Sequence, residues 1–361
     1  FYNSCQEPFV FIDVFYIMNI AEGSPWRKHL FEEYQSAISM MGFSGIHMDT
    51  YGFPKTAYSH LDAIPKKIKL EDELPTLIDE TRENVHGEEE PYLIFNNVGA
   101  WPVQRTADRK QDAVYIEVWP PYDRYASIAQ LIRDARTYAK DDKSTILAAY
   151  LKPFREGKRE KALPAAKLLM GSIVSNGATH LLTGENQTAL TQGYYSDYTK
   201  FSDSEAEAIR RYYDYMIRYE NLFFDPELQD VTMTHTGWDN YEYQCTNHKV
   251  SSYGEAGKIW MILREKDYRK CIYLLNLCGQ SEDYWNEGKE EPNIQKDIKF
   301  TVQVDTPVEK ICFSTPDGEN MDAIELSFTE RATKTGKFID FTVPSLNYWT
   351  TIWIDTRKET I

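Results

Sequence analysis

Signatures of nucleotide, serine and zinc chemistry are missing from this 361-residue chain. No GxGxxG follows a predicted strand, so a dinucleotide-binding sheet lacks its phosphate cradle. No GxSxG elbow is present, and GFSGI sets Ser44 at the start of a strand instead of on a strand-to-helix turn. HExxH is absent, which removes the commonest hydrolytic zinc site. Cysteine is scarce: Cys5, Cys245, Cys271, Cys278 and Cys312 are an odd set with no CxxC pair and no Cys/His cluster at zinc spacing. The expected disulfide, metal and cofactor complement is therefore none. Positive charge is also short, with 40 Lys and Arg against 56 Asp and Glu and a net charge of −16. That sign excludes nucleic acid and anionic membrane as expected partners and suits a neutral or cationic ligand. No run of about 18 apolar residues is long enough for a membrane span, and no secretory signal opens the chain at Phe1.

Aromatic residues are what the chain has in surplus, with 25 Tyr and 8 Trp. Such rings fill cores, and their faces also stack on sugars, bases or peptides. The stretch around which the rest is organised is GFSGIHMDTYG, residues 42–52. It is a short apolar run ending on Asp49, bracketed by Gly42, which would cap the preceding helix, and Gly52, which would open the following loop. A buried parallel strand that delivers a carboxylate to a barrel mouth has this form, although Asp at a strand end is also a common turn residue.

Around that stretch the chain alternates strand and helix. Residues 9–20 read as a buried strand running into a loop at Asn19. Ser24 and Pro25 then open a helix with Leu30, Phe31, Tyr34, Ile38 and Met41 at helical spacing. After the Asp49 strand come a long loop, the acidic helix EDELPTLIDETRENV, and the strands PYLIFNNVGAW, AVYIEVWPP, STILAAYL and THLLTGEN, with helices between. Six parallel-type strands in roughly 180 residues mean a doubly wound sheet or a (β/α)8 TIM-type barrel. The barrel is favoured because Asn19, Asp49, Asn97, Glu117 and Glu185 recur at C-terminal strand ends, where barrels collect their chemistry. Six strands do not close a ring of eight. The first two are expected to be missing from this chain and supplied by an N-terminal part of the same protein. The expected domains are this catalytic (β/α) barrel over residues 1–226 and an antiparallel β-sandwich over 227–361, built from segments such as KIWMILRE, CIYLLNLC, DIKFTVQV, FIDFTV and YWTTIWID.

Glu117 strengthens the case for Asp49. It lies inside VYIEVW, and an unpaired carboxylate buried on such a strand is costly unless it has work or a partner. Strand parity puts Tyr115, Glu117 and Trp119 on one face, and His47 with Asp49. With one strand between them, the acid-bearing strands lie about 10 Å apart, and two inward side chains can close much of that gap. Carboxyl groups roughly 5–5.5 Å apart serve a retaining glycosidase, and roughly 6.5–9.5 Å an inverting one. Both remain open from parity alone. His47, Asn97 with its neighbour Asn96, Trp101, Trp119, Glu185, Tyr194 and Tyr195 are candidate substrate contacts. Each has a plainer role available, as a core histidine, a turn cap, a packing ring or a surface carboxylate.

In that order, and with 68 positions between the two acids, GFSGIHMDTYG, FNNVGAW and AVYIEVWPP resemble glycoside hydrolase family 66, the dextranases and cycloisomaltooligosaccharide glucanotransferases. The similarity runs to about residue 225, and the sandwich fits the family's C-terminal domain. The resemblance implies endo-hydrolysis of α-1,6-linked glucan with retention, Asp49 matching the nucleophile and Glu117 the general acid/base. It also implies an N-terminal β-domain and the first barrel strands ahead of Phe1. Cyclising members carry a carbohydrate-binding module inserted after the seventh strand. Only about 30 residues separate AAYL from THLLTGEN here, so the resemblance is closer to dextranase. Relatives often carry Trp where this chain has Ile46. The competing expectations are a glucanotransferase, a non-catalytic glucan-binding protein, and an α-galactosidase-type barrel. Dextran is too large to import, so the implied location is secreted, periplasmic or cell-surface.

Overall fold

The computed structural model describes residues 1–11, 15–140, 143–193, 199–237 and 240–357. Two compact units emerge: one of residues 1–120 and 134–148, the other of residues 121–133 and 149–361. The boundary expected near residue 226 falls inside the second unit.

In the first unit, α1 (Pro25–Met41) is capped at both ends as its sequence predicts. Ser24 accepts a hydrogen bond from the Trp26 N–H, and Gly42 closes the helix at φ 70°, its N–H bonding the Ile38 carbonyl. β1 (Gly45–Met48) follows. Next comes α2 (Leu70–Asn84), with Glu71, Asp72 and Glu73 in its first turn, where negative charge suits the helix dipole. β2 (Tyr92–Val98), β3 (Ala113–Glu117) and β4 (Ser144–Ala148) pair in parallel, in chain order, beside β1. Leu70, Leu74, Leu77 and Ile78 form the buried stripe of α2, and they pack with Met48, Leu93 and Phe95 of the sheet. One face of the sheet is thereby sealed by helix. The opposite face carries His47, Tyr115 and Glu117.

Among the described residues the parallel sheet is an open path and not a ring, and the six barrel strands expected from the alternation, already too few to close a ring of eight, are not all present in it. β1 is its edge. The buried strand expected over residues 9–20 is replaced by a two-residue hairpin, Val10–Phe11 against Phe15–Tyr16, with both Phe15 and Tyr16 exposed. A run joins a sheet only where a neighbouring strand offers it a ladder, and this one satisfies part of its backbone by folding on itself. The long loop after Asp49 also holds a hairpin, Thr56–Ser59 with Lys66–Lys69.

In the second unit, α3 (Ala162–Ser175) and α4 (Asp203–Arg218) accompany two sheets. The larger sheet runs through Ile259–Lys266, Arg269–Asn276, Trp349–Thr356 and Val308–Ser314. The smaller runs through Tyr243–Cys245, Gln295–Val304, Gly336–Leu346 and Phe328–Thr333. Inward residues of both, among them Met261, Ile272, Leu274, Phe300, Val302, Ile339 and Ile352, make one core. The alternating segments read from the sequence all land in these strands. On the outer side of the larger sheet Trp349 is fully buried, with Tyr212, Tyr215 and Phe223 around it. Gly171 lets α3 approach, since a Cβ there would sit 2.8 Å from Leu275 and 3.1 Å from the Trp349 ring. All five cysteines are free, and no helix of the described residues is long and apolar enough to cross a membrane.

Candidate active site

β1, β2 and β3 bring Asp49 and Glu117 to the same end and the same face of the sheet. In the parallel register Asn96 stands opposite Tyr115 and Val98 opposite Glu117, while Met48 stands opposite Phe95. Asp49, one residue past β1, therefore meets Asn96 on the intervening strand. The Asn96 Nδ2 donates to Asp49 Oδ1 at 2.8 Å and reaches Glu117 Oε2 at 3.4 Å. The two carboxylate oxygens can be no farther apart than these distances together, about 6 Å. Glu117 is 6% exposed, whereas Asp49 is open to solvent. Among the described residues no cation forms an ion pair with Glu117. The alternative of a structural salt bridge is thus left without a partner, and the cost of burying this acid is not offset by a countercharge.

Asp49 Oδ1 also accepts from the Thr50 N–H at 2.9 Å, and Thr50 Oγ1 donates to the Asn96 carbonyl at 3.2 Å. Gly52, at φ 69°, then turns the loop, with Val98 close against it. His47 keeps an exposed edge while its ring packs edge-on against Tyr115, centroids 4.6 Å apart at 62°. Partial burial lowers its pKa, and the negative charges of Asp49 and then Glu117 oppose that shift. On the helix side, a cavity of about 270 Å³ reaches Asp49 past Trp26, Tyr34, Met48, Phe95 and Trp101. Burial, assisted by the charge of Asp49, pushes the Tyr34 phenol up to about 12.

The remaining sequence-predicted residues part company here. Asn97 does not face the acids. It is fully buried on the other face, its Nδ2 donating to the Phe95 and Tyr115 carbonyls and its Oδ1 accepting from Thr106. Asn96, 5% exposed, is the one of the two asparagines that faces the acids. Trp119 follows β3 and is 37% exposed, with surface to offer. Trp101 already has the Lys55 ammonium 3.6 Å from its ring centroid. Glu185 belongs to the second unit, on an exposed turn over Glu185–Gln187. Tyr194 and Tyr195 lie outside the described residues. Among the described residues no group of three or more His, Cys, Asp or Glu is arranged to hold a metal ion. Thr50 is a contributor that motif reading did not single out, and Asn96 reads from the sequence as a sugar contact rather than as a partner of the acids. Thr50 had no signal beyond standing next to an acid.

Two carboxylates gathered about one amide on parallel strands are an arrangement that glycosidase chemistry can use. The chain belongs to glycosyl hydrolase family 66, whose model matches residues 4–353. Two cycloisomaltooligosaccharide glucanotransferases of Niallia circulans are 28% identical over 193 residues and 27% over 191, covering 53% and 52% of this chain and 19% of each relative. The matched segment is thus about a fifth of those relatives' length. A crystal structure of a cycloisomaltooligosaccharide glucanotransferase from Paenibacillus sp., complexed with cycloisomaltoheptaose, superposes with a TM-score of 0.83 at 16% identity, covering 94% of this chain and 66% of that one. An α-amylase from Geobacillus thermoleovorans complexed with acarbose reaches 0.50 at 12% identity, with 94% and 66% covered. At these identities the structural likeness is one of fold.

Proposed function

We propose that this protein cleaves α-1,6-glucosidic linkages within dextran-type glucan by a retaining double displacement, with Asp49 as nucleophile and Glu117 as general acid/base. The observation that carries the reading is the separation of at most about 6 Å between Asp49 Oδ1 and Glu117 Oε2. It falls below the roughly 6.5–9.5 Å an inverting pair needs to admit a water and near the roughly 5–5.5 Å of a retaining pair. In the first step Asp49 bonds to the anomeric carbon, the glycosidic C–O bond breaks, and Glu117 gives its proton to the departing oxygen. In the second, water loses a proton to Glu117 while its oxygen attacks the same carbon, and Asp49 leaves as carboxylate. Glu117 is shielded from bulk water and Asp49 is accessible, which suits a proton donor beside an attacking group. His47 has exposed surface on this face and Trp119 is exposed just beyond β3, and both are proposed to line the sugar site.

The substrate class is supported by family membership and by relatives named for cyclic isomaltooligosaccharides. A neutral glucan also suits a chain of net charge −16. Hydrolysis is preferred to cyclisation because residues 149–177 hold two short 3₁₀ turns and α3, with no inserted module. The names of the relatives favour the second reading, in which a glucan hydroxyl replaces water and a cyclic product forms. Polymeric substrate would place the protein outside the cytoplasm.

Incubation with dextran tests the proposal. Expected are linear isomaltooligosaccharides whose new reducing ends first appear in the α configuration by NMR. Asp49→Ala and Glu117→Gln should each reduce the rate on the order of 10³-fold. Cyclic products would transfer the assignment to the glucanotransferase. Binding without release of reducing sugar would leave only a glucan-binding protein, and initial β products would remove the retaining mechanism.

A further inference from the structure

The Asn96 amide cannot be turned over without loss. The nucleophile Asp49, as a carboxylate, only accepts, so exchanging Nδ2 and Oδ1 would set acceptor against acceptor there. In the observed orientation Oδ1 is buried without a partner, so the amide is held by its donor side, which faces Asp49 and Glu117. Asp49 Oδ1 receives two donors, Asn96 Nδ2 and the Thr50 N–H. Neither bond involves Oδ2.

We infer that Asn96 is a positioning residue that commits Asp49 to attack through Oδ2 and shifts its own donation from Asp49 to Glu117 as charge passes between them. The inference rests on the two-carboxylate reading above. When Oδ2 bonds to the anomeric carbon and the C–O bond to the leaving sugar breaks, the proton of Glu117 goes to the departing oxygen. Negative charge vanishes from Asp49, now an ester, and appears on Glu117. An ester carbonyl accepts more weakly than a carboxylate. Nδ2 already stands as a donor to Glu117, at the longer of the two distances. A donor standing where charge will develop requires no reorganisation in the step. When water transfers its proton to Glu117 and its oxygen displaces Asp49, the amide returns to its first partner.

The test compares Asn96→Ala and Asn96→Ser with the parent, Asp49→Ala and Glu117→Gln, on dextran and on α-isomaltosyl fluoride. Fluoride departs without a proton from Glu117, so the fluoride substrate isolates the nucleophile. For Asn96→Ala the expected result is a fall in kcat of about 100-fold on both substrates, with KM within about threefold of the parent. Glu117→Gln should be impaired on dextran and spared in formation of the glycosyl-enzyme from the fluoride. Asn96→Ser, whose hydroxyl is too short to span the acids, should fall about tenfold in kcat on both substrates. It decides the matter alone if Asn96→Ala lacks a cooperative melt. Parent-level kcat in a folded variant would overturn the inference. So would a loss seen only in KM, which marks a substrate contact, or only on dextran, which marks coupling to the acid alone. Full dextran cleavage by Asp49→Ala and Glu117→Gln would instead remove the underlying reading, whatever Asn96 does.

Discussion

Two adjacent asparagines with identical chemistry serve opposite ends at the residue scale. Asn96 faces the acids, whereas the amide of Asn97 ties Phe95, Tyr115 and Thr106 together in the core. Truncating Asn97 would remove a donor from the buried Phe95 and Tyr115 carbonyls and leave the Thr106 hydroxyl only its long bond to Pro102, at about 1–3 kcal/mol for a buried group left unpaired. Asn97→Ala should therefore lower unfolding free energy in urea by about 2–4 kcal/mol, less whatever the vacated site regains from water. Its folded fraction should keep kcat within a few-fold of the parent. The site variants Asp49→Ala and Glu117→Gln should behave conversely, losing turnover while melting close to the parent. Motif reading found Asp49 by its place at the end of a glycine-bracketed strand, and Glu117 because a carboxylate inside an apolar strand is conspicuous. It named both asparagines but could not separate them, because the register that does so is not written in the strand. A strand covered on both faces has no polar alternation, and Tyr92–Val98 reads apolar on either side.

At the scale of single elements, close approach and burial give the sharper predictions. Gly171 on α3 faces Leu275 and the Trp349 ring at distances a side chain cannot share. Gly171→Val should cost about 2 kcal/mol or more through overpacking, in excess of the helix propensity it gains, and lower the melting temperature. The short strand Ala178–His180 holds a fully buried histidine whose Nε2 donates to the Ala149 carbonyl, leaving Nδ1 without a partner. Burial lowers its pKa to about 4. Because the folded value lies below the unfolded one of about 6.5, the unfolded state takes up the proton first as pH falls. The stability this group contributes is present above pH 6.5 and is lost progressively down to about pH 4, on the order of 3 kcal/mol. Urea titrations at pH 7.5 and pH 4 should show that loss in the parent and a smaller one in His180→Gln. Equal losses would mean that His180 titrates normally.

Charge and topology speak at the scale of the whole molecule. A net charge of −16 keeps polyanions away and does little to an uncharged ligand. The kcat/KM on dextran should therefore change less than about twofold between 50 and 500 mM salt, in contrast to the steep salt dependence of phosphate ligands. Strong salt inhibition would point to a charged substrate. The number of strands in the parallel sheet belongs to this scale. Local patterning reports a βα repeat but not how many strands meet in a ring, and the described parallel strands form an open path with β1 at its edge.

Caps, periodicity and buried charge were determined by the sequence alone, because they depend on neighbours within a few positions. Ser24, Pro25 and Gly42 bound a helix, alternation marks the sandwich strands, Asp49 ends a glycine-bracketed strand, and Glu117 is an acid where an apolar residue belongs. What only the tertiary structure decided was register. The pairing of β2 with β1 and β3 settles that Asn96 and not Asn97 bridges the carboxylates, because a shift of one residue sends every side chain to the opposite face.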